Sequence, residues 1–128
     1  MKHKALLTSL RSNWKTPKVL YQALDAEFGF DFDPCPVNPK ENGLEVEWGQ
    51  INYVNPPYGR KIGKWIAKGY EESQKGKIVV FLIPSRTDTK WWHDYIMKAT
   101  EIRFIKGRLY FDDGEGRAPF PSCLAIFK

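Results

Sequence analysis

The run Lys77-Ile78-Val79-Val80-Phe81-Leu82-Ile83-Pro84 is apolar without interruption after its first residue and rich in β-branched side chains. A strand wetted on one side alternates polar with apolar residues, so an unbroken run predicts a central strand covered on both faces, with Pro84 ending it. The flanking segments supply the covering helices. Upstream, Ile62, Trp65, Ile66, Ala67 and Tyr70 recur at helical spacing as far as about Gln74, and Gly76 is the stop. Downstream, Thr87 or Asp88 can cap a further helix carrying Trp92, Tyr95, Ile96 and Ala99. Glu101 to Ile105 reads as another strand. Arg108 to Phe111 and Ser122 to Phe127 read as a terminal antiparallel pair, joined by the glycine- and acid-rich turn Asp112 to Arg117.

Towards the N-terminus, Thr16-Pro17 predicts a helix start, with threonine as N-cap and proline in the first turn. Val19, Leu20, Ala23, Leu24 and Phe28 follow on one face, and Gly29 closes the helix. Phe28 to Asp33 alternates like a strand, and prolines at 34, 36 and 39 forbid a helix directly after it, leaving Asp33 at the strand's C-terminal lip. Ligands of open α/β sheets collect at that lip. Val37 to Gln50 is polar and loop-like. Residues 1–13, with Leu6, Leu7 and Leu10 in a basic setting, read as an arm ahead of one domain over 14–128. The expected architecture is a three-layer α/β domain with a mainly parallel sheet and an antiparallel C-terminal strand.

A chain of 128 residues is one domain in size. Cys35 and Cys123 stand far apart, and no apolar run approaches the thickness of a bilayer. Neither a disulfide nor a membrane span is expected, and the reading is a soluble protein of a reducing compartment such as the cytoplasm. His3, His93 and the two cysteines lack zinc-site spacing, so no metal is expected. The net charge of +5 is compatible with a polyanion partner. Aromatic residues make up 15% of the chain, leaving rings for stacking on bases or a cofactor.

Chemistry concentrates in Ile51-Asn52-Tyr53-Val54-Asn55-Pro56-Pro57-Tyr58-Gly59. Consecutive prolines stiffen the turn and remove two donors, so the tip presents acceptors, the Asn55 side-chain oxygen and the Pro56 carbonyl, beside the ring of Tyr58. An amino group on a planar ring fits there: two oxygens take its hydrogens while its ring lies on the tyrosine.

Asn55-Pro56-Pro57-Tyr58 is the motif of amino-methyltransferases that use S-adenosylmethionine (AdoMet). The chain resembles the small phage-type DNA N6-adenine methyltransferases through several pieces in order: Trp14-Lys15-Thr16-Pro17, Phe32-Asp33-Pro34-Cys35-Pro36, Asn55 to Gly59, Pro84 to His93, and Gly107-Arg108-Leu109 with Pro119 to Ser122. The resemblance implies a reduced, Rossmann-like class I methyltransferase fold acting on double-stranded DNA, as a monomer or homodimer. It implies Asn55, Pro56, Pro57 and Tyr58 at the target amine. Trp14, Thr16, Pro17, Asp33, Pro34 and Cys35 would lie around AdoMet, and Arg60, Lys61, Arg86 and Arg108 would face DNA. Thr16 is equally explained as a helix cap, Asp33 as a turn residue bonding its own backbone, and His93 as structural.

The chain departs from the family pattern where Asn42, rather than an aspartate, precedes Gly43-Leu44. Glu41, Glu45 and Glu47 are the remaining candidates for a ribose-binding acid. Two other readings stay open: a protein glutamine N5-methyltransferase using the same pocket, and a nucleic-acid-binding module that has lost productive cofactor binding.

Overall fold

The structure is a computed structural model that describes residues 15–111 and 117–128. The N-terminal arm, Trp14 and most of the Asp112 to Arg117 turn lie outside the described residues. Four strands form one sheet: β1 (Ile51–Val54), β2 (Ile78–Pro84), β3 (Glu101–Phe104) and β4 (Ser122–Phe127), in the spatial order β1-β2-β4-β3. β1 runs parallel to β2, with Ile51 opposite Ile78 and Val54 opposite Phe81. β4 lies between β2 and β3 and is antiparallel to both, with Ile83 opposite Cys123 and Phe104 opposite Cys123 on its other side.

The sheet is therefore mixed, which corrects the expectation of a mainly parallel one. A last strand inserted beside the central strand contributes two antiparallel ladders where an edge strand would contribute one. The expected pairing of Arg108–Phe111 with Ser122–Phe127 also fails. Tyr110 makes a single bridge to Arg117 instead, and β4 is paired on both sides by other strands.

The strand expected at Phe28 to Asp33 shrinks to one parallel bridge between Phe32 and Asn52. Asp31 explains part of this, because its Oδ1 accepts from the backbone of Gln50 and Ile51 and so replaces ladder bonds that a second strand would make. Pro34 and Pro36 then remove donors.

Helix α1 (Lys18–Phe28) ends at Gly29, whose φ of 70° is the left-handed geometry a glycine adopts without strain, and whose N–H bonds Asp25 O. Its N-terminus has no side-chain cap, so the cap expected from Thr16 is absent. α2 (Ile62–Ser73) matches its sequence pattern. α3 (Lys90–Asp94) is capped by Thr89, whose hydroxyl accepts from Trp92 N, rather than by Thr87 or Asp88. It breaks at Tyr95, and a 3₁₀ turn spans Ile96–Lys98.

Residues paired across the ladders share a face. Phe81 and Phe127 point to one side, where the Phe81 ring lies against Gly69 of α2 so closely that any side chain there would collide. Tyr53 points to the other side, its ring edge-on to Tyr21 of α1 at 5.1 Å. Arg103 of β3 grips Glu27 of α1 through two short bonds of 2.7 and 2.6 Å. The sheet thus has a helix on each face, and β2 between them is fully buried from Val79 to Ile83.

Candidate active site

The bridge of Phe32 to Asn52 runs parallel to β1, so Asp33 and Asn55 leave the sheet at the same edge. The C-terminal ends of β2 and β3 lie there too. Asn55 is half-buried, Pro56 buried, Pro57 half-buried, and Gly59 turns the chain into α2 with a φ of 111°. Asn55 is tied at both ends of its amide. Its Nδ2 donates to Thr16 Oγ1 at 3.2 Å, and its Oδ1 accepts from the Tyr58 hydroxyl at 3.1 Å, a hydroxyl that also lies 3.2 Å from the carbonyl oxygen of Leu82 in the central strand. Thr16 Oγ1 is 2.6 Å from the hydroxyl of Tyr53.

Tyr58 differs from its expected role. It is 7% exposed, and the edge of Phe120 meets its ring with centroids 5.4 Å apart at 75°. Rather than offering an open stacking face, it braces Asn55 from below. Burial raises the pKa of Tyr58 and of Tyr53, so both phenols keep their protons.

Asp33 Oδ1 accepts from Cys35 N at 2.9 Å, the local turn bond expected of an aspartate here. It also forms the wall of a cavity of about 240 Å³ with Phe32, Pro34 and Glu41. Burial pushes its carboxyl up to about 6, against a smaller pull downward from the Cys35 N–H. Burial, then the Asp33 charge, pushes the Cys35 thiol up to about 12, so Cys35 is a neutral lining group and no nucleophile. A second cavity of about 470 Å³ shares Pro34, Lys40, Glu41 and Gly43 with the first and adds Cys35 and Trp65. Asp33 lines the first cavity, Cys35 the second and Pro34 both, whereas Thr16 and Pro17 line neither.

Of the three candidate acids, Glu41 lines both cavities. Glu47 instead lies 3.4 Å from Lys77, at the opposite end of the sheet. Arg60, Lys61, Arg86 and Arg108 are all exposed, on segments that follow β1, β2 and β3 from the Asn55 edge. Arg86 lies over the Phe120 ring at 5.8 Å. His93 is 2.7 Å from Thr87 O and holds its own loop. Among the described residues no group of His, Cys, Asp and Glu could hold a metal ion. Tyr53 and Phe120 were missed as site residues by sequence reasoning. A tyrosine inside a strand whose neighbours are buried needs a hydroxyl partner, and that need was the available signal for Tyr53.

An amide oxygen fixed at the rim of an α/β sheet, on the same rim as a half-buried carboxyl and its cavity, suits a group-transfer enzyme acting on an amine. Residues 3–122 match the family model described as DNA N-6-adenine-methyltransferase (Dam), and the chain belongs to that family. The DNA N-6-adenine-methyltransferase of Haemophilus phage HP1 (strain HP1c1) is 27% identical over 116 residues, which cover 80% of this chain and 67% of that protein. The enzyme of the same description from Escherichia phage T1 is 26% identical over 117 residues, covering 81% of this chain and 49% of that one. The chain therefore spans about two thirds of one relative and about half of the other. No solved structure matches the chain.

Proposed function

We propose that the chain methylates the N6 amino group of an adenine extruded from double-stranded DNA, with AdoMet as methyl donor, on a reduced Rossmann-like methyltransferase fold. The observation that carries this reading is the doubly anchored Asn55 amide on the same rim as Asp33 and its cavity. Family membership favours DNA over a protein glutamine amide as the acceptor.

The cavity residues suit the donor. Asp33 sits against Phe32 and Pro34 with its carboxyl pushed up by burial, in a cavity that Lys40 also lines, and an ammonium group such as that of a methionine moiety would supply a close countercharge. Glu41, shared by both cavities, is placed to accept from sugar hydroxyls, and Trp65 with Pro34 offers apolar surface to a planar ring. Bound AdoMet supplies an electrophilic methyl on a sulfonium, whose departure leaves a neutral thioether.

The protein's task is then alignment and charge sharing rather than acid or base strength. Asn55 Oδ1 and the Pro56 carbonyl would accept the two amine hydrogens and take up the positive charge that develops on nitrogen. The two prolines keep these oxygens from drifting, and Tyr58 ties Asn55 to the buried central strand. Arg60, Lys61, Arg86 and Arg108 would meet phosphates around this rim. Extrusion of the base would bring its ring to the edge now covered by Phe120.

The test is incubation with radiolabelled AdoMet and unmethylated duplex DNA, followed by digestion to nucleosides. Label in N6-methyldeoxyadenosine is expected. Label in added protein would move the acceptor to a glutamine amide, and AdoMet binding without any transfer would overturn the enzymatic reading.

A further inference from the structure

We propose that Thr16 is the positioning residue for Asn55, setting the rotation of its amide for the transfer argued above, on whose reading this inference rests. The hydroxyl does not serve α1, whose start lacks a side-chain cap, so the local role that its sequence position suggests is vacant. It reaches 37 residues along the chain to Tyr53 and 39 to Asn55 instead. A hydroxyl has one hydrogen and two lone pairs, enough to serve both partners at once.

The partner that holds Thr16 is itself immobile. Tyr53 is 2% exposed, with its ring between Tyr21 at 5.1 Å and Phe30 at 5.3 Å. Thr16 thereby transfers the rigidity of the core to a side chain at the rim. The outermost torsion of asparagine is broad and nearly two-fold on its own, so backbone stiffness from Pro56 and Pro57 does not decide which way the amide lies. Hydrogen bonds do, with Thr16 at the nitrogen and Tyr58 at the oxygen. The rotation matters because a turned amide would aim N–H groups at an incoming amine, donor against donor. Thr16 thus acts through Asn55.

The experiment compares Thr16→Val, Thr16→Ser and Tyr53→Phe with the wild type, each assayed below its own melting temperature. Thr16→Val keeps the shape and loses the hydroxyl. It is expected to lower kcat about tenfold, in line with the sensitivity of transfer to small misplacements, with the KM for DNA and the Kd for AdoMet within about twofold. Thr16→Ser should recover most of kcat. Tyr53→Phe unties Thr16 from the core but leaves it able to bond Asn55, so it should lower kcat by less than Thr16→Val does; a wild-type kcat in Thr16→Val would overturn the proposal. A readout independent of turnover is the side-chain amide signal of Asn55 in ¹⁵N-labelled protein, which should shift in Thr16→Val and return in Thr16→Ser. An unmoved signal overturns the proposal, as does a raised AdoMet Kd in place of a lowered kcat. If the wild type transfers no methyl to DNA, the functional reading falls, while the amide signal still decides whether Thr16 holds Asn55.

Discussion

A half-buried carboxyl and a fully buried one stand at opposite edges of the sheet, and their surroundings drive them in opposite directions. Asp33, at the Asn55 edge, is pushed up to about 6 by burial, with only the Cys35 N–H pulling back. Glu72, at the far edge, is fully buried, and burial pushes it upward too. There Lys75, Lys77, the Trp48 N–H and the charge of Lys68 outweigh burial and bring it down to about 2. The bonds are short: 2.8 Å from Lys75, 2.7 Å from Lys77 and 2.9 Å from Trp48 N. A carboxylate so fully partnered has nothing left to bind and serves architecture. Asp33, with the Cys35 N–H as its bond, stands in the wall of a cavity instead.

The far edge nevertheless shapes the near one. Trp48 is held by Glu72, stacks on Trp65 at 6.4 Å and donates its indole N–H to Gly43 O at 2.8 Å. Gly43 packs against Pro34 with no room for a side chain, and it lines both cavities. Removing Glu72 is therefore the strongest way to break the comparison. Glu72→Ala leaves Lys77, only 6% exposed, without its main countercharge, and should cost about 3–5 kcal/mol in urea-monitored unfolding. A loss below 1 kcal/mol would show that the cluster is not the anchor described here.

Asn55→Ala tests the other edge in the opposite currency. It should lower kcat/KM about 10²- to 10³-fold through lost charge sharing, while AdoMet affinity stays within a few-fold and the melting temperature barely moves. Loss of AdoMet binding in this variant would place Asn55 in the donor pocket and end the division of labour between Asn55 and Asp33.

What the sequence disclosed follows the same division. The unbroken apolar run at Ile78–Ile83, the helical spacing of Ile62 to Tyr70 and the Asn-Pro-Pro-Tyr turn are local patterns, and each became the element it predicted. The insertion of β4 beside β2 was not legible, because an apolar strand carries no mark of which neighbour it will pair with. Thr16 misled for a related reason: a threonine before proline suits a helix cap, and only the packing of Tyr53 against α1 brings a better partner within reach. Tyr58 was read as a stacking face because nothing local to it announces Phe120, 62 residues on. The Glu72 cluster joins residues from a loop, a helix and the start of a strand, so no spacing rule could have found it.

The pH dependence of stability sharpens the contrast between the two acids. Asp33 has an ordinary value of 3.8 and a folded value of about 6, so its protonated form is favoured by folding. That contribution is complete below 3.8 and lost as pH rises through 6. Glu72 runs the other way, contributing above its ordinary 4.5 and losing that contribution as pH falls towards 2. Asp33→Asn, permanently neutral, should therefore be more stable than the wild type at pH 8 by about 3 kcal/mol, the difference vanishing near pH 4. It should also bind AdoMet more weakly at pH 8. Urea unfolding across that range, with calorimetry for the ligand, checks both; a variant destabilised at pH 8 would mean that Asp33 is a structural acid like Glu72.

The smallest effect asks how redundant the far edge is. Lys68 approaches Glu72 Oε2 at 3.4 Å and is 17% exposed, whereas Lys75 and Lys77 sit at 2.8 and 2.7 Å. With two closer cations retained, Glu72 keeps its charge, and Lys68 contributes little more than an ordinary pair one turn apart on a helix. Lys68→Ala should thus cost only about 0.3–0.5 kcal/mol, against several for Glu72→Ala, and leave methyl transfer unchanged. A loss of several kcal/mol from Lys68→Ala would mean that the three lysines act as one unit whose parts cannot be removed singly. The far edge would then be as intolerant of a missing partner as the Asn55 edge is expected to be, and the contrast between a saturated and a receptive carboxylate would fail at its saturated end.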